Sequence, residues 1–311
     1  MGQLVEGKWV DSDVRVGAKS SRGEFLRKPV TFRNHISNES EFLPESGRYH
    51  LYVSYACPWA HRTLIMRNLK GLKDHISVDV VSPVMLGDGW TFKKDFDRVP
   101  HDSLFGFEFL RDVYTKSDPR FTGRVTVPIL WDKKTGQIVN NESSEIIRIF
   151  NSEFNSLTGN QDDYYPEELH KEIEAWNDLI YPNINNGVYR CGFARSQEAY
   201  EEAFDGLFSA LDKVNQTLEE KKWLCGDKFT EADIRLFPTL ARFDSVYHTH
   251  FKCNGKLISQ YEGLSRYLKT FLEIEGIRET LNLEHIKHHY FYSHETVNPS
   301  RVVAKGPLEL F

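Results

Sequence analysis

The strongest constraint in this chain is the junction at residues 48–72. RYHLYVSY (48–55) alternates and is rich in β-formers, so it reads as a strand. ACPWAHRTLIMRNLKGL follows with no spacer, placing Leu64, Ile65 and Leu69 at helical spacing and Leu72 beyond Gly71. HISVDVVSPV (75–84) supplies a second strand, and a strand–helix–strand unit lays its two strands side by side in parallel. Pro58 falls at the first helical position, where the missing N–H is no loss. Cys57 is then the N-cap, where unpaired N–H groups and the helix dipole favour a thiolate. A thiol at such a site titrates below the free value of about 8.5 and suits attack on a disulfide or thioether sulfur. Position 60 is alanine, so no second cysteine stands one turn on, and a mixed disulfide on Cys57 needs an outside thiol for its release. The bland alternative is an inert, buried cysteine at a helix start.

The rest of the first half continues in the same grammar. VTVPILWD (125–132) reads as a third strand, KKTG as a turn and QIVNN (137–141) as a fourth strand. ESSEIIRIFNSEF (142–154) is an amphipathic helix with Ile146, Ile147 and Phe150 on one face. Residues 85–124 are a long insertion with few periodic signals, and 1–45 are polar and irregular, punctuated by Trp9, Phe25, Phe32 and Phe42. The latter predict an extended arm on the surface. Residues 155–166 are turn-rich and form a linker. Beyond them the clear patterns, at 167–189, 196–223, 230–247 and 264–281, are helical. The expectation is an α/β domain over 46–154 and an all-helical domain over 167–311.

Bulk properties exclude several classes. A chain of 311 residues exceeds the usual single domain, and 40% hydrophobic residues are ample for a packed core. The net charge is −6 with no lysine- and arginine-rich run, which argues against a nucleic-acid partner. No run of 18 apolar residues exists to span a membrane. The opening MGQLVEGKWVDSD has neither a basic stretch followed by an apolar one nor transit-peptide composition, so the expected location is cytoplasmic. Cys57, Cys191, Cys225 and Cys253 are too scattered for a disulfide framework or a C-x-x-C zinc site. Sequons at Asn38, Asn141 and Asn215 read as chance matches.

Other motifs are ambiguous taken singly. Val127-Pro128 opens a strand, where proline is allowed. Glu142-Ser143 opens a helix, where Ser143 or Ser144 can serve as a plain cap or the N-terminus as an anion site. Trp90, in G-W-T-F, reads as an anchor for its loop. Thr230-Glu231-Ala232-Asp233 is a capping box with Asp in place of Glu or Gln. His285, His288, His289 and His294 offer no familiar three-ligand spacing, so a solvated helix end or an interface is expected there rather than a metal.

Taken together, C-P-W-A-H-R after a strand, T-V-P and N-E-S-S-E resemble the cysteine-type glutathione transferases. G-W-T-F, Y-R-C-G-F-A and V-Y-H-T-H-F-K-C-N resemble one branch, the xi class or glutathionyl-hydroquinone reductases, and the resemblance spans residues 20–300. It implies a thioredoxin-like N-terminal domain followed by an all-α domain, the glutathione transferase fold. It implies Cys57 as nucleophile, a cis bond before Pro128, and Val127 pairing its backbone with the cysteinyl part of glutathione. It further implies that Glu142 and Ser143 hold the γ-glutamyl end, Trp90 covers the site and Arg124 meets a carboxylate. Tyr189, Tyr247 and Tyr290 line the acceptor pocket beside the cysteine in the resembling branch, with Tyr189 the candidate proton donor. Glutathione is the implied co-substrate, with no metal, and the implied partners are a glutathionylated aromatic and a second copy of the chain, with no membrane or nucleic acid.

The expected activity is removal of glutathione from a glutathionyl-hydroquinone through a mixed disulfide on Cys57. The rivals are an omega-like thiol transferase or dehydroascorbate reductase using the same cysteine, and a transferase fold that carries ligands without turnover. A cysteine peptidase is disfavoured, because His61 lies four residues on in the same helix and points along it.

Overall fold

The computed structural model describes residues 2–11, 21–27, 29–307 and 309. Its elements in order are β1 (Gln3–Val5), β2 (Lys8–Val10), β3 (Tyr49–Val53), α1 (Pro58–Leu69), β4 (Ile76–Val80), α2 (Leu110–Ser117), β5 (Ile129–Asp132), β6 (Gln137–Asn140), α3 (Ser143–Ser152) and α4 (Asn155–Thr158). There follow α5 (His170–Ile180), α6 (Gly187–Phe193), α7 (Gln197–Glu220), α8 (Glu231–Arg242), α9 (His248–His250), α10 (Glu262–Glu273) and α11 (Leu283–Lys287). The described residues divide into two compact units, one of 2–11, 29–162 and 280–289, the other of 21–27, 163–279, 290–307 and 309.

The first unit is built on a sheet in the order β4-β3-β5-β6. β3 and β4 are parallel, with Leu51 opposite Val78, and the other neighbours are antiparallel. All of β3 is buried, as expected of a strand covered on both faces. Alternate residues face opposite ways, so His50 and Tyr52 share a face and need polar partners there. Ser77 Oγ lies 2.7 Å from His50 Nδ1, and Asp79 Oδ2 lies 3.2 Å from His50 Nε2. The Tyr52 hydroxyl donates to Asp102 Oδ1 at 2.8 Å. Asp102 then accepts the N–H groups of Leu104, Phe105 and Phe107, and Ser103 donates to Asp79 through both its N–H and its hydroxyl. Burial raises the Asp79 carboxyl, but the bonds from His50 and Ser103 outweigh it and leave the group below its usual range.

Two local readings of the sequence need correction. The stretch 85–124 holds α2, whose Leu110, Val113 and Tyr114 form one buried face; eight residues are too short to show a convincing period. Its presence completes a β-α-β-α-β-β-α order. The irregular opening contains the β1–β2 hairpin, turned by Glu6 and Gly7, both at positive φ. Strands of three residues carry no alternation to detect. Residues 155–166 are anchored: the buried Lys70 ammonium donates to the carbonyls of Asn160 and Asp162, and Asn160 Nδ2 caps Leu69 O at 3.0 Å. The first unit also takes in α11, where His285 Nε2 meets Asp97 O at 2.8 Å, and Thr280, which opens the same segment and whose hydroxyl lies 2.8 Å from His61 Nε2.

The second unit is helical. The Ser196 hydroxyl caps α7 at Ala199 N, and Ala199, Ala203, Leu207, Ala210, Leu211, Val214 and Leu218 line its buried stripe. The single helical pattern read over 167–189 is in fact α5, a π-helical turn at Tyr181–Asn185 with Pro182 near its start, and α6. A Cβ on Gly192 would lie 2.1 Å from the Phe251 ring, so only glycine allows α6 this close to it. No helix among the described residues is long and apolar enough to cross a membrane.

The expected capping box opens α8. Thr230 N donates to Asp233 Oδ2 at 2.9 Å, and Leu224 N donates to Asp233 Oδ1 at 3.1 Å. Burial pushes the Asp233 carboxyl up to about 7, against these bonds. The free carboxyl titrates near 3.9, so between about pH 4 and 7 the folded protein keeps a proton that the unfolded chain has lost. The stability linked to this proton is present below about pH 4 and lost as pH rises through about 7. Urea unfolding of the wild type against Asp233→Asn, which does not titrate, is expected to show the wild type losing ground to the variant from pH 4.5 to 7.5; a constant gap would remove the linkage. Asp233→Ala, which strips an acceptor from both N–H groups, is expected to cost about 2–4 kcal/mol.

Candidate active site

β3 ends at Val53, a tight turn joins Cys57 N to Ser54 O at 3.1 Å, and Cys57 becomes the N-cap of α1 with extended backbone and Pro58 behind it. Cys57 O accepts the first helical bond from His61 N at 3.0 Å. The thiol is half-buried, and Sγ lies 3.6 Å from Val127 O, to which it donates. The Val127–Pro128 peptide is cis. The sulfur therefore sits between the amino end of a helix, which favours negative charge, and the backbone of the segment entering β5.

The entrance to α3 lies in the same unit. Its N-cap is Glu142, and Ser143 and Ser144 are the first helical residues, so neither serine serves as the cap. The Glu142 carboxylate accepts Ser144 N at 3.0 Å and the Ser144 hydroxyl at 2.9 Å. Ser143 is buried, and Arg62 Nη1 reaches its hydroxyl at 3.5 Å. Arg62 itself stacks over Trp59, 4.6 Å from the ring, so the first turns of α1 and α3 are tied through one guanidinium. Arg33 adds a second cation, paired with Glu145, whose carboxyl burial raises but the Arg33 bond brings below its usual range. Arg124 is exposed on the irregular segment leading to Val127.

One residue absent from the sequence reading, and one read there only as a member of the histidine cluster, hold these parts in place. The Tyr114 hydroxyl, on α2, is a hub: it donates to Thr126 O at 2.9 Å and accepts from Thr126 N and Asn141 Nδ2, each at 3.1 Å. One phenol thus fixes the residue before Val127 and the residue before Glu142. The spacing of Leu110, Val113 and Tyr114 marked a buried face, but nothing local marked a hub. Trp90 is buried and stacks on His289, centroids 4.8 Å apart and rings 16° from parallel. His289 is held in turn by Pro83 O at 2.9 Å from Nδ1.

The three tyrosines meet in the second unit. Tyr290 OH lies 2.5 Å from Tyr189 OH and 2.8 Å from Tyr247 OH, so it bridges the other two. Tyr247 and Tyr290 are fully enclosed, and burial drives both phenols well above their usual range; Tyr189 keeps a little exposure. Tyr247 closes a π-helical turn at Phe243–Tyr247, and Tyr290 lies within another at His288–Tyr292. Such turns are rare and concentrate at functional positions.

The histidine cluster is not a solvated helix end: His285, His289 and His294 are buried and only His288 is half-exposed. Each has its own partner, His294 pairing with His250 at 3.2 Å. Among the described residues no group of three His, Cys, Asp or Glu side chains is placed to hold a metal ion.

Residues 56–153 match the family described as the glutathione S-transferase N-terminal domain, and residues 197–270 the glutathione S-transferase C-terminal domain. A glutathionyl-hydroquinone reductase of Sphingobium chlorophenolicum is 52% identical over 99% of this chain and 97% of its own. A xi-class transferase from Natrialba magadii superposes with a TM-score of 0.93 at 47% identity, covering 100% of this chain and 95% of that one. The glutathione-bound structure of a transferase homologue from Escherichia coli K-12 superposes with a TM-score of 0.91 at 47% identity, covering 99% and 96%.

Cysteine reactivity separates the four thiols. Cys191, Cys225 and Cys253 are buried, and burial pushes Cys225 up to about 11 and Cys253 also upward. Iodoacetamide on the native protein is expected to label Cys57 alone, with the other three labelled only in denaturant, as read by peptide mass spectrometry. Early labelling of any of the three would contradict this assignment.

Proposed function

The chain belongs to the xi class of glutathione transferases, and on that footing we propose that it removes glutathione from glutathionyl-hydroquinones. The observation that carries this reading is the Cys57 thiol at the head of α1, 3.6 Å from Val127 O beside cis Pro128, with no second cysteine one turn on. A lone nucleophilic cysteine beside a backbone edge suits a substrate that is itself a glutathione conjugate.

In this proposal the thioredoxin-like domain, 46–154, takes the tripeptide. Val127 pairs with the cysteinyl backbone, Ser143 and the first N–H groups of α3 take the γ-glutamyl carboxylate, and Glu142 shares its capping carboxylate with the ammonium. Arg124 offers its planar fork to a carboxylate, and Trp90, braced by His289, covers the tripeptide. The helical domain, 167–311, takes the aromatic half through Tyr189, Tyr247 and Tyr290.

Docking presents the thioether sulfur to Cys57 and makes the attack effectively intramolecular. The Cys57 thiolate bonds to that sulfur, the carbon–sulfur bond breaks, and the ring carbon takes a proton from Tyr189. Hydroquinone leaves, with Cys57 as its glutathione mixed disulfide. A second glutathione thiolate attacks that disulfide, releasing oxidised glutathione and restoring Cys57. The sum is conjugate plus glutathione giving hydroquinone plus oxidised glutathione. The chain acts in this reading as a cytoplasmic homodimer.

The test is product release from glutathionyl-menadiol with added glutathione. The wild type is expected to turn over with ping-pong kinetics, and Cys57→Ser to bind glutathione while losing at least about 1,000-fold in kcat, as expected when a covalent nucleophile is removed. No product from the wild type, together with good activity on a small glutathione mixed disulfide, would replace this reading with a thiol transferase and leave the tyrosines as packing.

A further inference from the structure

Arg27, from the arm that the sequence left without a role, stands over the ring of Tyr189. Its guanidinium carbon lies 5.1 Å from that ring's centroid, and its Nε donates to Asn186 Oδ1 at 3.2 Å. Asn186 is three residues before Tyr189 at the start of α6, so both contacts lie on one helix face. The segment carrying Arg27 is pinned: Arg195 N donates to Gly23 O at 3.0 Å and the Ser196 hydroxyl to Arg22 O at 2.8 Å. Gly23 is at φ +82°, and a Cβ there would lie 3.1 Å from Ser196 N, so the chain crosses the α6–α7 junction at a point only glycine allows. Phe25 is buried against Tyr189, with centroids 6.3 Å apart, and against Phe193 at 5.4 Å.

We propose that Arg27 is a positioning residue for the proton transfer, holding positive charge on the face of Tyr189 while that phenol gives its proton to the leaving aromatic carbon. The inference rests on the proposed reaction and names a part of it that the arm supplies. When the O–H bond breaks, its electron pair stays on the Tyr189 oxygen, and solvent water later returns the proton. That charge is met by the hydrogen bond with Tyr290 and by the cation over the ring. Among the described residues, titratable or charged groups that also face this cluster are Tyr247, Arg242, which acts on Tyr247 and Tyr290, and His250 and His294, whose rings lie 6.3 and 5.3 Å from that of Tyr290. Arg27 differs from all of these in lying over Tyr189 itself.

The experiment compares Arg27→Met and Arg27→Lys in the full chain on two substrates. One is glutathionyl-menadiol, whose carbon must be protonated. The other is a small glutathione mixed disulfide, whose sulfur leaves as a thiolate and needs no proton from Tyr189. Arg27→Met is expected to lower kcat on the thioether about tenfold, the scale of a partly desolvated cation–ring contact. It is expected to leave KM for glutathione and the disulfide rate unchanged and to move the alkaline limb of the kcat–pH profile to higher pH. Arg27→Lys is expected to recover most of the rate, and Arg27→Met added to Tyr189→Phe to cause no further loss. An unchanged thioether kcat, equal losses on both substrates, or an additive loss in the double variant would overturn the proposal. A wild type inactive on the thioether would instead overturn the reaction itself, so the two failures are distinguishable.

Discussion

β3 is buried on both faces, and three of its five residues, Tyr49, His50 and Tyr52, carry polar groups, the last two on one face. A buried polar group without a partner costs about 1–3 kcal/mol, so one face of the sheet has to be covered by something that hydrogen-bonds. Ser77 and Asp79 on β4 do part of this, and Asp102 does the rest. Asp102 and Asp79 in turn collect N–H groups from 103–107 and so fold the long insertion onto the sheet. The same insertion supplies α2 and Tyr114. The strand that launches Cys57 thus also dictates the cover from which the supports of the site are built.

Charge is managed throughout by pairing before burial. Arg48 and Asp132 form a two-bond pair, Nε to Oδ1 at 2.8 Å and Nη2 to Oδ2 at 2.6 Å. Burial raises Asp132, but Arg48 brings it below its usual range. Such a pair contributes specificity more surely than net stability, since desolvation offsets much of the attraction. Around α3 the same pairing recurs. The Glu142 carboxylate satisfies the helix start, Arg62 donates to the Ser143 hydroxyl and Arg33 pairs with Glu145.

The tyrosine cluster shows a different economy of means. Helices with a regular 3.6-residue period would not bring three phenol oxygens from α6, Phe243–Tyr247 and His288–Tyr292 to within hydrogen-bond distance by default. A π-helical turn adds one residue to a helical turn and rotates the side chains that follow. Tyr247 and Tyr290 lie in such turns, and α6 follows a third. The hydroxyls then satisfy one another in a place where each alone would be an unpaired buried group.

The sequence by itself determined the strand–helix junction, Cys57 at its head, the strands on either side, the amphipathic helices and the capping box at Thr230–Asp233. All of these follow from local rules: alternation, helical spacing, proline at a first helical position, and side chains that cap their own backbone. The same text also carried a resemblance that singled out Val127, Glu142, Ser143, Trp90, Arg124 and the tyrosines, which periodicity alone would not have chosen from 14 tyrosines and 6 tryptophans. Tertiary structure decided what depends on distant partners. α2 was hidden because eight residues show little more than two turns of pattern. Tyr114 gained its role from Thr126 and Asn141, twelve and 27 residues away. His289 and Trp90 are about 200 residues apart, and Arg27 meets Tyr189 across more than 160 residues. A hydrogen bond or ring contact is made by positions in space, and local periodicity carries no record of which remote side chain will occupy the facing position.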